Sequence, residues 1–236
     1  MKKTVIIVAG GLGSRMKQDL PKQFMLLKGK PVLMHTLNCF YSFDKDVELI
    51  VALPQAFREN WQVLCDEHRC SIPHVVVNGG ESRFHTVRNS LAAVQGKGLV
   101  AVHDGVRPLV SHDTLERCFS TASEKGSAIP CIAVAESLRV DKGTGSIPVD
   151  RSLYHLVQTP QVFRWEILQK AYEQDYRPEF TDDAGVVEKA GYAVVLVEGN
   201  SENIKITTPA DLVVAEALMG AKGTSVSNWR KRPLVP

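Results

Sequence analysis

Residues 8–24 read V-A-G-G-L-G-S-R-M-K-Q-D-L-P-K-Q-F and follow the apolar run Thr4–Val8. Glycines let backbone N–H groups come close to a polyphosphate, and two cations, Arg15 and Lys22, can neutralise it. Such a loop suits a nucleoside triphosphate that is to lose pyrophosphate. Spacing excludes two commoner phosphate loops. No Lys-Ser or Lys-Thr follows these glycines, as a Walker A loop requires. Met16 stands where the dinucleotide fingerprint beginning at Gly11 and Gly13 needs its third glycine. A glycine cluster behind a strand is also what an ordinary strand-to-helix turn looks like. Arg15, Pro21 and Lys22 make the pattern A-G-G-x-G-x-R-M followed by P-K-Q more specific than that.

Other segments offer chemistry that a turn or cap would equally explain. His103-Asp104-Gly105-Val106-Arg107-Pro108 follows the run Leu99–Val102. Asp104 there can hold Mg²⁺ or a ribose hydroxyl, with Gly105 leaving room beside it, or can cap a turn. Gly79-Gly80-Glu81-Ser82-Arg83 offers backbone groups to the edge of a flat base, or a plain turn into a helix. Arg151 suits bidentate binding of a phosphomonoester, although a lone Arg after a loop is commonly a surface residue. Thr159-Pro160-Gln161 lies just beyond it. Thr181-Asp182-Asp183-Ala184 reads as a helix N-cap with acids in the first turn, and can also turn Thr181 toward a substrate phosphate. Lys205 is a third candidate cation for the triphosphate, or a strand-end lysine.

The elements that must position these residues are legible as a pattern. Apolar runs recur at Val5–Val8, Val47–Leu53, His74–Val77, Leu99–Val102, Ala128–Val134 and Ala193–Val197. They are continuous rather than alternating, which predicts strands buried on both faces of a parallel sheet. Helical spacing separates them, as in Trp61, Leu64, Cys65 and His68. The reading is a single α/β, Rossmann-like domain over residues 1–220, with helices on both faces of a mostly parallel sheet and a ligand site at the carboxyl ends of its strands. Residues 136–150 are rich in Gly and turn formers and predict a projecting β-arm that leans on a second subunit. Residues 221–236 read as a solvated tail. The chain has 236 residues, 44% hydrophobic and 23% charged, with a net charge of +2, which points to neither nucleic acid nor a membrane surface. Five cysteines without C-x-x-C spacing read as free thiols in a reducing cytoplasm, not as a zinc site.

Taken in chain order, A-G-G-x-G-x-R-M, P-K-Q, G-G-x-x-R, H-D-x-x-R-P, a Gly-rich arm then V-D-R, Q-T-P-Q, T-D-D-A and N-I-K-I-T resemble the 2-C-methyl-D-erythritol 4-phosphate cytidylyltransferases of the non-mevalonate isoprenoid pathway. The resemblance covers about residues 3–219. It implies transfer of CMP from CTP to the polyol phosphate with Mg²⁺, in a homodimer. It implies that Arg15, Lys22 and Lys205 act on the triphosphate and that Ala9, Gly10, Gly11 and Gly13 cradle it. Gly80, Glu81, Thr86, Asp104 and Gly105 would hold the nucleotide, with Mg²⁺ mainly on its phosphate oxygens and Asp104 a carboxylate nearby. Arg107, Arg151, Thr159 and Thr181 would face the acceptor, Arg151 and Thr159 in the neighbouring subunit's site. Thr86 stands for the family's usual Ser, Gly105 for its usual Ala and Val157 for its usual Thr. The nearest rival is ribitol 5-phosphate cytidylyltransferase; a rival of another class is a nucleotide-sensing module without turnover.

Overall fold

Successive side chains of a strand face opposite ways, so a strand buried at every position has cover on both sides. β1 (Lys3–Val8) is such a strand, with Val5, Ile6 and Ile7 fully buried. The computed structural model describes residues 1–10 and 21–221. After β1 come a 3-10 turn (Lys22–Phe24), the short strands β2 (Leu26–Leu27) and β3 (Lys30–Pro31), and α1 (Val32–Phe43). Then follow β4 (Glu48–Leu53), α2 (Arg58–Glu67), β5 (Val75–Asn78), α3 (Arg83–Leu91), β6 (Leu99–Asp104), α4 (His112–Lys125) and β7 (Ser127–Ala133). A hairpin of β8 (Leu138–Asp141) and β9 (Ser146–Val149) leads to β10 (His155–Val157), β11 (Gln161–Arg164), α5 (Trp165–Ala171), α6 (Asp183–Lys189), β12 (Leu196–Glu198) and α7 (Pro209–Ala221).

The main sheet runs β10-β7-β11-β6-β1-β4-β5, with β12 on the other side of β7. β6, β1, β4 and β5 are mutually parallel. Val5 and Ile7 face a core built with Leu37 and Phe40 of α1, Trp61 of α2 and Phe119 of α4. Ile6 faces the opposite core, with Phe84 of α3, Leu168 of α5 and Val187 of α6. The expected two-sided α/β sheet is therefore present. The expected strand Ala193–Val197 is shorter and later, as β12.

Two elements lie outside the sequence expectation. β11 is an antiparallel strand wedged between β6 and β7, and β10 pairs antiparallel with the far end of β7. The register slips by two residues between β10 and β11, so Gln158, Thr159 and Pro160 bulge from the ladder, with a cis peptide before Pro160. Residues 142–146 turn the expected hairpin, closed by the Lys142 N–H on the Gly145 carbonyl at 2.7 Å. Gly143 there has φ +80°, a conformation that glycine adopts without strain. The arm is exposed along most of its length.

Candidate active site

The parallel strands all end at one edge, and the ladder runs one residue past them. Ala9 N–H donates to Ala52 O (3.0 Å), Gly79 N–H to Leu53 O (2.8 Å) and Gly105 N–H to Val8 O (2.9 Å). This fixes three chain reversals side by side. Between them lies a cleft of about 270 Å³ lined by Ala9, Gly10, Lys22, Gln23, Gly80, Glu81, Arg83, Thr86, Asp104 and Lys205, among others. The Thr86 hydroxyl, buried, accepts the Gly80 N–H at 3.0 Å and so holds the Gly79–Gly80 turn to α3. A Cβ on Gly80 would sit 2.4 Å from the His85 Cβ, so the turn is closed to larger residues. Gln23, also buried, donates its amide to Ala9 O at 2.8 Å and ties the Lys22 turn to the end of β1.

Asp104 ends β6 at the back of this cleft. Its Oδ1 accepts from Arg83 at 2.7 Å, and its Oδ2 takes Lys205 at 2.9 Å and Arg107 at 3.3 Å. Burial alone would raise the carboxyl's pKa; the charges of Arg83, Lys205 and Arg107 outweigh it and hold the group well below the usual carboxylate range. Arg83 has a second anionic partner, the fully buried Asp183 of α6, at 2.6 Å. Tyr172 donates its hydroxyl to the other oxygen of Asp183 at 2.6 Å. One guanidinium thus bridges a carboxylate at the cleft and one in the core.

Beyond Asp104 a second cleft of about 420 Å³ opens, lined by Arg83, Asp104, Arg107, Lys205, Thr159, Gln161, Thr181, Asp182 and residues 155–158. Its floor is a buried chain of hydrogen bonds. Asp104 N–H donates to Thr159 Oγ1 at 3.1 Å. The Arg107 carbonyl can only accept, so it receives the His103 Nε2–H at 3.0 Å. The neutral imidazole then accepts the Thr159 hydroxyl proton at Nδ1, across 3.1 Å. Burial pushes the His103 pKa down to about 4. Asn203 donates to the Thr159 carbonyl at 2.8 Å, and Arg107 Nη1 to Asn203 O at 2.7 Å.

The structure thus gathers Ala9, Gly10, Lys22, Gly80, Glu81, Thr86, Asp104 and Lys205 at the first cleft, and Arg107, Thr159 and Thr181 at the second. Thr159, expected in the neighbouring subunit's site, instead lines its own chain's cleft, because its hydroxyl is bonded between Asp104 N–H and His103. Gly105 lies beneath both, its Cβ position 3.1 Å from Ala9 Cβ. Arg151 lines neither; it starts a 3-10 turn after β9 and donates to Ala135 O. Gly11, Gly13 and Arg15 lie outside the described residues, as does the tail beyond residue 221. Arg83, Gln23, His103, Asn203 and Asp183 were not among the expected site residues. Arg83 sits inside the G-G-x-x-R motif, which was the available signal. Asp182 caps α6, accepting Gly185 N–H at 2.9 Å, and Asp183 is the acid of its first turn. Among the described residues no three His, Cys, Asp or Glu side chains gather as a metal site, and no helix is long and apolar enough to cross a membrane.

A parallel-strand edge with a glycine turn, facing cations and two clefts joined at one carboxylate is the architecture of a nucleotidyltransferase. The family model described as 2-C-methyl-D-erythritol 4-phosphate cytidylyltransferase (IspD) matches residues 3–221. A protein of that name from Bacteroides thetaiotaomicron is 53% identical over 219 residues, 93% of this chain and 100% of its own. One from Porphyromonas gingivalis is 51% identical, covering 92% of this chain and 98% of its own. The crystal structure of the Thermus thermophilus protein of that name superposes with a TM-score of 0.75 at 34% identity, over 92% of this chain and 98% of that one. The chain belongs to the 2-C-methyl-D-erythritol 4-phosphate cytidylyltransferase family.

Proposed function

We propose that the protein transfers CMP from CTP to 2-C-methyl-D-erythritol 4-phosphate and releases pyrophosphate. The observation that carries this reading is the pair of clefts meeting at Asp104, in a chain matched to that family almost end to end. CTP takes the first cleft, its base against the Gly79–Gly80 turn and its triphosphate toward Lys22 and Lys205. The acceptor takes the second, near Arg107 and Thr181. An acceptor phosphate oxygen attacks the α-phosphorus; the new P–O bond forms as the bond to the β-phosphate oxygen breaks. A phosphate monoester is already a nucleophile, so positioning and charge stabilisation carry the catalysis. Arg15 belongs to the same set. The nucleotide enters as its magnesium complex, and the metal offsets phosphate charge. Both oxygens of Asp104 are engaged by cations, which favours phosphate oxygens over Asp104 as the metal's ligands.

The active site is shared across a homodimer. Arg151 lines neither cleft of its own chain, and the segment around it exposes apolar surface that asks for cover, Leu153 at 77% and Leu156 at 50%. The arm carries Arg151 to the partner's acceptor cleft. The five free thiols fit a cytoplasmic enzyme. Pyrophosphate release tests the activity: CTP with 2-C-methyl-D-erythritol 4-phosphate gives rapid release, and ATP, GTP or ribitol 5-phosphate give little. Equal turnover with ATP, or preference for ribitol 5-phosphate, overturns the assignment. Mixing Lys22→Ala and Arg151→Ala chains under subunit exchange tests sharing, because each mixed dimer regains one intact site.

A further inference from the structure

Helix α2 ends in a tight reversal. Arg69 N–H donates to Asp66 O at 3.2 Å, inside a longer bond from Cys70 N–H to Cys65 O at 2.8 Å. Arg69 itself has φ +50°, the left-handed conformation that usually falls to glycine. A six-to-one bond enclosing a five-to-two bond around a left-handed residue is a Schellman motif. That motif brings the two side chains at its ends together, commonly as an apolar contact. Here the two side chains are Cys65 and Cys70.

The two sulfurs have different surroundings. Cys65 is buried and belongs to the core cluster that holds Trp61. Cys70 is half-buried and lines a cleft of about 260 Å³ with Lys30, His35, His68 and Arg69. The Cys65 thiol donating to it, a backbone N–H from Ile72, and the nearby His74 and Lys30 pull the Cys70 thiol down to about 6 against the opposing effect of burial. Its partner Cys65 is pushed up, first by that same hydrogen bond and then by burial. A thiol that opens on a cleft and a buried partner thiol therefore meet at one turn.

We propose that Cys65 and Cys70 form a peroxide-reactive dithiol that closes to a reversible disulfide across the end of α2. The Cys70 thiolate attacks one oxygen of a hydroperoxide; the O–O bond breaks, and the other oxygen leaves as an alcohol, or as water from hydrogen peroxide. Cys70 is then a sulfenic acid. The Cys65 sulfur attacks it, the S–S bond forms, and the sulfenic oxygen departs as water with the Cys65 proton. Two thiols are oxidised by two electrons and the peroxide is reduced by two. A dithiol reductant reverses the change. The other thiols are poorer candidates: burial pushes Cys118 up to about 12 and raises Cys131, while Cys39 donates to the Pro108 carbonyl at 2.9 Å.

The full-length protein, treated with hydrogen peroxide at neutral pH, denatured and alkylated with iodoacetamide, tests this by peptide mass mapping. Cys65 and Cys70 are expected to resist alkylation together, their peptide lighter by two hydrogens, and to recover with dithiothreitol. In the reduced native protein, Cys70 should be alkylated about tenfold faster than Cys118 or more. In Cys65→Ser, dimedone should trap a sulfenic acid on Cys70. Cys65 and Cys70 both remaining alkylatable after peroxide overturns the proposal. So does a Cys70 alkylation rate equal to that of Cys118, and this second measurement needs no variant to fold.

Discussion

The two clefts share Asp104 but are made of different material. The first cleft, proposed above for the nucleotide, is framed by backbone: chain reversals after β1, β5 and β6, pinned by ladder bonds to Ala52, Leu53 and Val8. The acceptor side is built from side chains contributed by segments 103–107, 155–161, 181–182 and 203–205 and locked by buried hydrogen bonds. A backbone-built wall keeps its shape when side chains change, provided none is added where glycine is required. A side-chain-built wall depends on every partner, because one lost group leaves another buried and unpaired. The two walls should therefore fail in different ways.

The largest expected effect comes from a side chain of the first cleft. Lys22→Ala removes a cation from the transferring and leaving phosphates, and turnover should fall by about 100-fold or more while the fold persists. Steady-state pyrophosphate release beside a thermal melt checks both halves of that statement. Near-normal turnover in a folded variant would remove Lys22 from the chemistry.

Acid should strike the acceptor side next. His103 is held neutral in the folded chain with a pKa of about 4, below its ordinary value near 6.5. Between those values the unfolded chain binds a proton that the folded chain refuses. Stability therefore falls as pH drops through that window, by about 3 kcal/mol in all. Urea titrations across the window should show this slope in the parent protein. It should be clearly shallower in His103→Gln, where half-buried His35, also pushed down by burial, still contributes.

A paired comparison separates the walls directly. Gly80→Ala drives a Cβ into His85 and should raise the KM for CTP about tenfold, leaving the acceptor's KM within about twofold. Arg151→Ala should do the reverse. If both variants moved both constants equally, the division would dissolve. The smallest effect is expected from Thr86→Ser, which keeps the hydroxyl on the Gly80 N–H and should hold turnover within about twofold of the parent.

The same division governed what could be read in advance. β1, β4 and β6 are covered on both faces, so they spell unbroken apolar runs. β10 and β11 do not: His155, Leu156 and Val157 are exposed, and Gln161 and Arg164 bracket only two apolar residues. Glycine turns and strand-end charges marked the nucleotide side, since those residue types follow from local geometry. Arg83 and Asp183 stand 100 positions apart, and no local pattern says that one will neutralise the other. Asp183 read only as an acid in a helix's first turn; that it is buried against Tyr172 and Arg83 had no local sign. The arm was legible from its turn formers.

The seam between β6 and β11 bears on how such enzymes diversify. From Gln161 opposite Val102 to Arg164 opposite Leu99, the acceptor side attaches to the edge of a parallel sheet that already ends in a nucleotide site. Substrate choice can then be redrawn by exchanging what hangs from that edge, with the phosphate-handling machinery inherited intact. Only the grip of Arg83, Arg107 and Lys205 on Asp104 must survive each exchange. A change anywhere in that four-residue knot would disturb both clefts at once.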